Sequence, residues 1–352
     1  IDGVSHADLV MNAAVEAFSI RHVCGFGPNL PEGMVPLDDL ITHGGAPVSA
    51  AALDARRAAL ISFDVTNNGL LAVPRTHLNL ISGGLAVFLE SRMAQGATLL
   101  AAQYMGSFAG IASTLACWLL SGGTLALHHP FDGEVLERQL VELNCDTLVC
   151  PAALAMCLGE DDDMLHGSAL RNVIALWRTP EQIASSLPWP SQNVRLTDIY
   201  IFGEAGLFGA RRGEDGAAAD IMPGPYGAPR DDAQSSIAGE TLVTDAGTLA
   251  LRGSMVPLAA YAAARDEFRR DTAPVTYVDT GYAARLDRTS GAICITAPPP
   301  GIMAVGGYRF QADELQAWAK RLGDGAMLTA LPDKLSGHRL AGRANDNARA
   351  RG

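Results

Sequence analysis

Between residues 98 and 202 the chain alternates short apolar runs with stretches of helical spacing, and few architectures admit that rhythm. Residues 98–103, 124–127, 147–150, 172–176 and 197–202 read as buried strands, and residues 107–120, 131–144 and 151–158 read as the helices between them. Runs that are apolar on both faces, separated by helices, predict an α/β fold with a mainly parallel sheet. Farther along, residues 240–244, 247–253 and 277–287 alternate with glycine turns and predict a small antiparallel β subdomain. The Gly-, Pro-, Ala- and acid-rich segment 206–237 carries no periodicity and reads as a surface excursion.

Length and charge narrow the function. A chain of 352 residues, 48% hydrophobic and only 18% charged, has the makings of a sizeable core and none of the signature of disorder. Its net charge of −12 argues against a nucleic-acid surface and leads us to expect a cytoplasmic protein without a membrane span. Lysine occurs only at Lys320 and Lys334, so any lysine-dependent chemistry has two candidates. The six cysteines lack a C-x-x-C pair and lie mostly in apolar runs, where buried free thiols are expected over a metal or disulfide site. The neighbours His128 and His129 fall on opposite faces of a strand, which disfavours chelation by both. The acidic run 160–163 reads as a solvated loop. Because the chain opens on Ile1, we expect a fragment or a processed form.

The stretch with most to say about chemistry is 59–84. It reads as a buried strand at 59–63, a polar loop at 64–69, a second apolar run, and a helix capped by Thr76. A strand, loop and capped helix can present backbone N–H groups to an anion. The loop here has no lysine and little glycine, so taken bare it reads as a strand-to-strand turn.

In wider context, Ile61-Ser-Phe-Asp-Val-Thr-Asn-Asn-Gly69, followed by Thr76-His77-Leu-Asn-Leu80, resembles the phosphate-loop signature of the adenylate-forming enzymes, the acyl-CoA synthetase superfamily. The resemblance places Thr66 at the loop's first glycine, Asn67 and Asn68 at its threonine pair, Gly69 after them, and Ala72 at its lysine. Asp198-Ile-Tyr200-Ile-Phe-Gly203-Glu204 is similar to the family's Asn-x-Tyr-Gly-x-Thr-Glu. That makes Asp198 and Tyr200 expected nucleotide contacts, with Tyr200 stacked on adenine. Glu204 becomes the expected catalytic carboxylate and Mg²⁺ ligand, and Gly203 stands in place of a threonine. Tyr277-Val-Asp-Thr-Gly281-Tyr282 resembles the motif whose aspartate holds the ribose hydroxyls, a position occupied here by Tyr282. Ser107, Leu176 and Trp177 fall at the acyl-site positions, with Trp177 taking volume that a long acyl chain would need. Residues 297–315 resemble the hinge and first hairpin of the family's C-terminal domain, the hinge pair being replaced by Ala297-Pro298 within a stiff connector.

The resemblance implies the adenylate-forming-enzyme large domain, parallel-rich α/β layers with a small antiparallel β subdomain, over residues 1–296. A hinge and a truncated C-terminal α+β domain then occupy residues 297–352. It implies ATP and Mg²⁺ as cofactors, and a small carboxylic acid with CoA or an acyl-carrier protein as partners, with a homodimer as an option. Several supports of the reaction are substituted in this chain, and the C-terminal catalytic lysine motif does not occur in it. Three readings follow: a degenerate homologue that keeps a binding cleft, an active acyl-CoA or acyl-carrier ligase with atypical motifs, and a non-enzymatic scaffold or partner-binding protein.

Overall fold

The structure, a computed structural model, describes residues 5–38, 54–161, 167–227, 238–266, 276–323, 325–333 and 337–343. The chain divides into two compact units, Ile1–Asp54 and Ala55–Gly352. In the first, a helix over His6–Glu16 is capped by Ser5, and β1 (Cys24–Gly25) pairs in parallel with β2 (Val35–Pro36).

The second unit is built on a six-stranded sheet, mainly parallel as the alternating rhythm predicts, in the order β10-β9-β8-β7-β5-β6. Its parallel members are β5 (Thr98–Ala101), β6 (Thr124–Leu127), β7 (Thr147–Pro151), β8 (Asn172–Trp177) and β9 (Arg195–Phe202). Every residue of β8 is buried, as are Leu99, Leu100 and Ala101 of β5, because helices cover the sheet. The helix Gly133–Glu142 falls inside its expected span, and Ala152–Gly159 runs one residue past the end of its own. The expected helix from Ser107 is a composite: Phe108–Ile111, a π turn over Ala112–Ala116, then Cys117–Ser121. Ser107 caps it, its hydroxyl accepting from the Gly110 N–H at 3.2 Å.

Two parts of the excursion at 206–237 are strands. β10 (Gly206–Arg211) runs antiparallel to β9 at the sheet edge, and β11 (Gly224–Tyr226) joins the second sheet. That second sheet is the expected antiparallel subdomain, in the order β11-β12-β13-β14-β15, with β12 at Gly239–Val243, β13 at Thr248–Arg252, β14 at Val278–Leu286 and β15 at Ile293–Ala297. A helix over Leu258–Asp266, unassigned from sequence, follows β13. Beyond β15 come two antiparallel hairpins, β16 (Ile302–Val305) with β17 (Tyr308–Gln311), and β18 (Met327–Asp333) with β19 (Gly337–Arg343). The helix Ala312–Ala319 lies between them.

The stretch 59–84 is a hairpin and a helix. β3 (Ala58–Thr66) and β4 (Gly69–Thr76) pair antiparallel with Thr66 opposite Gly69, so the polar loop contracts to the turn Asn67-Asn68. Gly69 takes a φ of +115°, which the return of the chain requires. The helix His77–Glu90 starts with a full capping box: Thr76 accepts from the Asn79 N–H at 3.1 Å, and Asn79 accepts from the Thr76 N–H at 3.0 Å. Substituting Thr76→Ala removes one half of that exchange and is expected to cost about 1 kcal/mol in urea unfolding with an unchanged m-value.

Candidate functional site

The hairpin β3–β4 delivers alternate side chains to one buried face. On β3 these are Ser62 and Asp64, and on β4 they are Val73 and Arg75. Arg75, with no solvent exposure, is the largest fully buried side chain among the described residues, and sequence reasoning passed over it. Its Nη1 donates to the Met255 carbonyl at 3.0 Å and its Nη2 to the Glu204 carbonyl, while its guanidinium carbon sits 3.5 Å from the centre of the Phe108 ring. Its Nε, which has no hydrogen-bond partner, lies 3.6 Å from Glu204 Oε2.

Glu204 sits in the tight connection from β9 to β10, where the sheet edge turns back. Its carboxylate accepts from the Ser62 hydroxyl at 2.6 Å and from the Phe108 N–H, 3.2 Å from each oxygen. Phe108 N–H is an orphan donor in the first turn of its helix, so a carboxylate there meets both an unpaired N–H and the positive end of the helix. Burial nevertheless moves both members toward their neutral forms: it draws the Arg75 guanidinium down to about 10, and it raises the Glu204 carboxyl above the ordinary carboxylate range.

Asp64 makes the adjoining pair. It accepts from the Tyr261 hydroxyl at 2.7 Å and from Arg309 Nη1 at 2.7 Å, so the β16–β17 hairpin is tied to the strand before the turn. Gln311 Nε2 adds a hydrogen bond to the Thr66 carbonyl at 2.7 Å. Gly203 makes room for this: a Cβ there would overlap the Arg309 guanidinium and the Asp64 carboxylate, and its φ of +56° suits glycine. Any side chain at this position, a threonine included, would displace Arg309.

The other expected site residues divide between cavity walls and core. Asn67, Asn68 and Thr66 line a cavity of about 310 Å³ together with Asp64, Tyr261 and Asp279. The Thr66 hydroxyl donates to the Gly69 carbonyl at 2.9 Å and accepts from the Asn68 N–H at 3.2 Å, which closes the turn on itself. Ser107, Gly203 and Glu204 line a cavity of about 180 Å³, and Leu176 and Trp177 line a larger one of about 740 Å³. Tyr200 is buried and stacked on Phe208 at 4.7 Å, and Tyr282 is buried edge-on to Phe202 at 5.4 Å. Asp198 is buried between Arg212 Nε at 2.9 Å and the Trp177 indole N–H at 2.7 Å. Ala72 is exposed and alternates with Val73 and Arg75, so a lysine at that position would project from the face opposite Glu204.

These residues, as arranged, do not fit a Mg²⁺–triphosphate group. Both Glu204 oxygens are engaged by internal donors, and Asp64 adds a second carboxylate to the same cavity wall. Among the described residues no cluster of His, Cys, Asp or Glu is arranged to hold a metal ion. None of the described helices is long and apolar enough to cross a membrane.

The fold is like that of solved adenylation-domain and CoA-ligase structures. The chain is similar to the solved structure of an NRPS protein containing adenylation and PCP domains, with a TM-score of 0.69 and 18% identity, covering 97% of this chain and 62% of that one. It is also similar to an amide bond synthetase from Marinactinospora thermotolerans (TM-score 0.64, 15% identity, 96% of this chain and 68% of that one). A third likeness is to a malonyl-CoA ligase ternary product complex with methylmalonyl-CoA and AMP bound (TM-score 0.64, 17% identity, 96% and 74%). The chain thus spans about three fifths of the length of the first of these. No protein-family model matches it, and no curated protein sequence matches it.

Two outcomes are expected at this site. Arg75→Met leaves a buried carboxylate without its cation and should destabilise the protein by roughly 3–5 kcal/mol. The double variant Arg75→Met/Glu204→Gln should recover much of that loss in a thermodynamic cycle measured by urea unfolding. A carboxyl raised on folding keeps its proton to higher pH in the folded state than in the unfolded one. The stability it lends is therefore complete below its ordinary value of 4.5 and is lost as pH rises through the folded value. Glu204→Gln should flatten that decline in a series of unfolding curves from pH 4 upward.

Proposed function

We propose that this chain is an adenylate-forming-fold protein in which nucleotide activation has been lost and the neighbouring cleft kept as a pocket for a small organic acid. The observation that carries the reading is the Arg75 guanidinium against Glu204. A fixed cation of the protein stands where the resemblance would have a metal ion and phosphates. Glu204, in the expected role of metal ligand and catalytic carboxylate, would have to give up Ser62, Phe108 N–H and Arg75 to take it up.

Other features support the same reading. The turn Asn67-Asn68 is too short to wrap a phosphate with successive backbone N–H groups, and Thr66 already uses its hydroxyl within the turn. Tyr200 and Tyr282 are held in aromatic packing, so neither ring is free to stack on a base or reach a ribose. The proteins of like fold are named for adenylation, amide-bond and CoA-thioester chemistry. For this chain, ATP, Mg²⁺, CoA and a carrier-protein thiol are inherited associations, while a small carboxylic acid is the ligand class that its remaining cavities suit. The roles of Thr66, Asn67, Asn68, Gly69, Asp198, Tyr200 and Tyr282 in nucleotide binding belong, on this reading, to the ancestral reaction.

Pyrophosphate exchange over a panel of short, aromatic and long-chain acids tests the proposal. Wild type should stay at the blank, and so should Ala72→Lys/Tyr282→Asp, because a lysine at 72 projects away from Glu204 and Arg75 still occupies the cation's place. Repairing part of a catalytic set recovers little when its members act as a unit. Robust exchange by wild type would overturn the proposal.

A further inference from the structure

The β3–β4 hairpin is built the wrong way round for a strand pair that meets water on one side. Such a pair ordinarily turns its apolar side chains inward and its polar ones outward. Here the inward positions carry Ser62, Asp64 and Arg75, and the outward ones are all apolar. The register makes the outward face a ladder of three cross-strand pairs: Ile61 with Pro74, Phe63 with Ala72 and Val65 with Leu70. None of the six side chains carries a charge or a hydrogen-bond donor. Among the described residues nothing closes this face: Ile61 is 57% exposed, Phe63 59% and Leu70 68%.

The face extends beyond the hairpin. Leu78 and Ile81, also exposed, carry it onto the first turns of the helix His77–Glu90. At the other end, Phe63 and Val65 share the wall of the cavity of about 180 Å³ with Tyr104 and Tyr308, both more than half exposed. Charged and polar groups lie at the margins. Arg178, Glu204 and the Asp64–Arg309 pair line that same cavity, and Arg57 and His77 flank the open end of the hairpin. An apolar centre with aromatic side chains and a polar margin is the composition of a protein–protein contact.

Charge selects the occupant. The chain carries a net −12, so two copies repel over most of their surface and meet best through a face free of ionisable groups. A partner with acids or bases in the contact would bury them unpaired against this ladder. An apolar ladder meets its own image across a two-fold axis without any such cost. Area agrees with charge. Ile61, Phe63, Leu70, Leu78 and Ile81, each about half exposed, present on the order of 500 Å². With Val65, Ala72, Pro74 and the two tyrosines, the face approaches the roughly 800 Å² per partner of a stable contact.

We propose that the outward face of β3–β4 is a dimer interface, on which a second copy of this chain stacks its own hairpin face to face about a two-fold axis. The two hairpins form a small sandwich with their sheets about 10 Å apart. The inward face, with Arg75 and Glu204, is untouched by the contact, so the inference does not depend on the loss of adenylation.

Sedimentation velocity of the full chain from about 1 to about 100 μM provides the test. The chain should sediment as a dimer of two 36.9 kDa copies at the upper end and dissociate on dilution. Phe63→Arg and Leu70→Arg each place a cation in the contact twice over by symmetry, and each should weaken the dimer by at least about thirtyfold. Leu119→Arg, at a comparably exposed leucine on the helix Cys117–Ser121, should sediment as wild type does. Far-UV circular dichroism and thermal melting check each variant, and if Phe63→Arg does not fold, Leu70→Arg decides the matter. A chain that stays monomeric at about 100 μM would leave the face to a different polypeptide and overturn the proposal. So would a dimer that the folded face variants leave intact, or one that Leu119→Arg disrupts equally.

Discussion

The arrangement at the heart of this molecule depends on one buried charge pair. Arg75 and Glu204 come from parts of the chain far apart in sequence, and neither could be buried alone, since an unpaired charge in a core costs several kcal/mol, roughly. Their meeting fixes three elements at once. The β3–β4 hairpin supplies Arg75 and Ser62, the β9–β10 connection supplies Glu204, and the helix beginning at Phe108 supplies both an N–H and an aromatic face. The remaining guanidinium N–H groups bind the Met255 and Glu204 carbonyls, so the pair also closes the loop ahead of the helix Leu258–Asp266 against the sheet edge.

A second pair extends the first. Asp64 lies two residues from Ser62 on the same face of β3, and it draws in Arg309 and the Tyr261 hydroxyl. Two negative side chains next to each other would repel, and each has acquired its own arginine. The consequence for chemistry is direct. On the reading proposed above, both arginines are committed to protein carboxylates and little is left to neutralise a triphosphate; the Asp64–Arg309 pair and the Gln311 bond also tie down the β16–β17 hairpin. Arg178 lies near this cluster with its Nη2 on the Ser107 hydroxyl, and it lines two of the neighbouring cavities.

Much of the fold was legible in the sequence because its signals are local or periodic. The continuous apolar runs at β5, β7 and β8 have one structural meaning when helices separate them, and the caps at Thr76 and Ser107 are set by neighbouring residues. The segment holding β10 and β11 was illegible for the opposite reason. Its glycines and alanines carry little strand propensity, and β10 forms through pairing with β9 and burial of Leu207 and Phe208. The site was legible in outline only. Family resemblance led to Glu204 but could say nothing of its partner, because Arg75 lies in a strand where an arginine ordinarily reads as solvated. The alternation Leu71, Val73, Arg75 did place it on the inward face, and that was the available signal. Arg178, Arg309 and Tyr261 owe their positions to contacts across the whole chain, which spacing does not reveal.

The central claim is that Arg75 holds the position a divalent cation would need beside Glu204. Titration with Mn²⁺ followed by electron paramagnetic resonance, with and without ATP, addresses it most directly. The account predicts no bound Mn²⁺ whose signal depends on Glu204, so that wild type and Glu204→Gln give the same titration. A stoichiometric Mn²⁺ site in wild type that Glu204→Gln abolishes would contradict it.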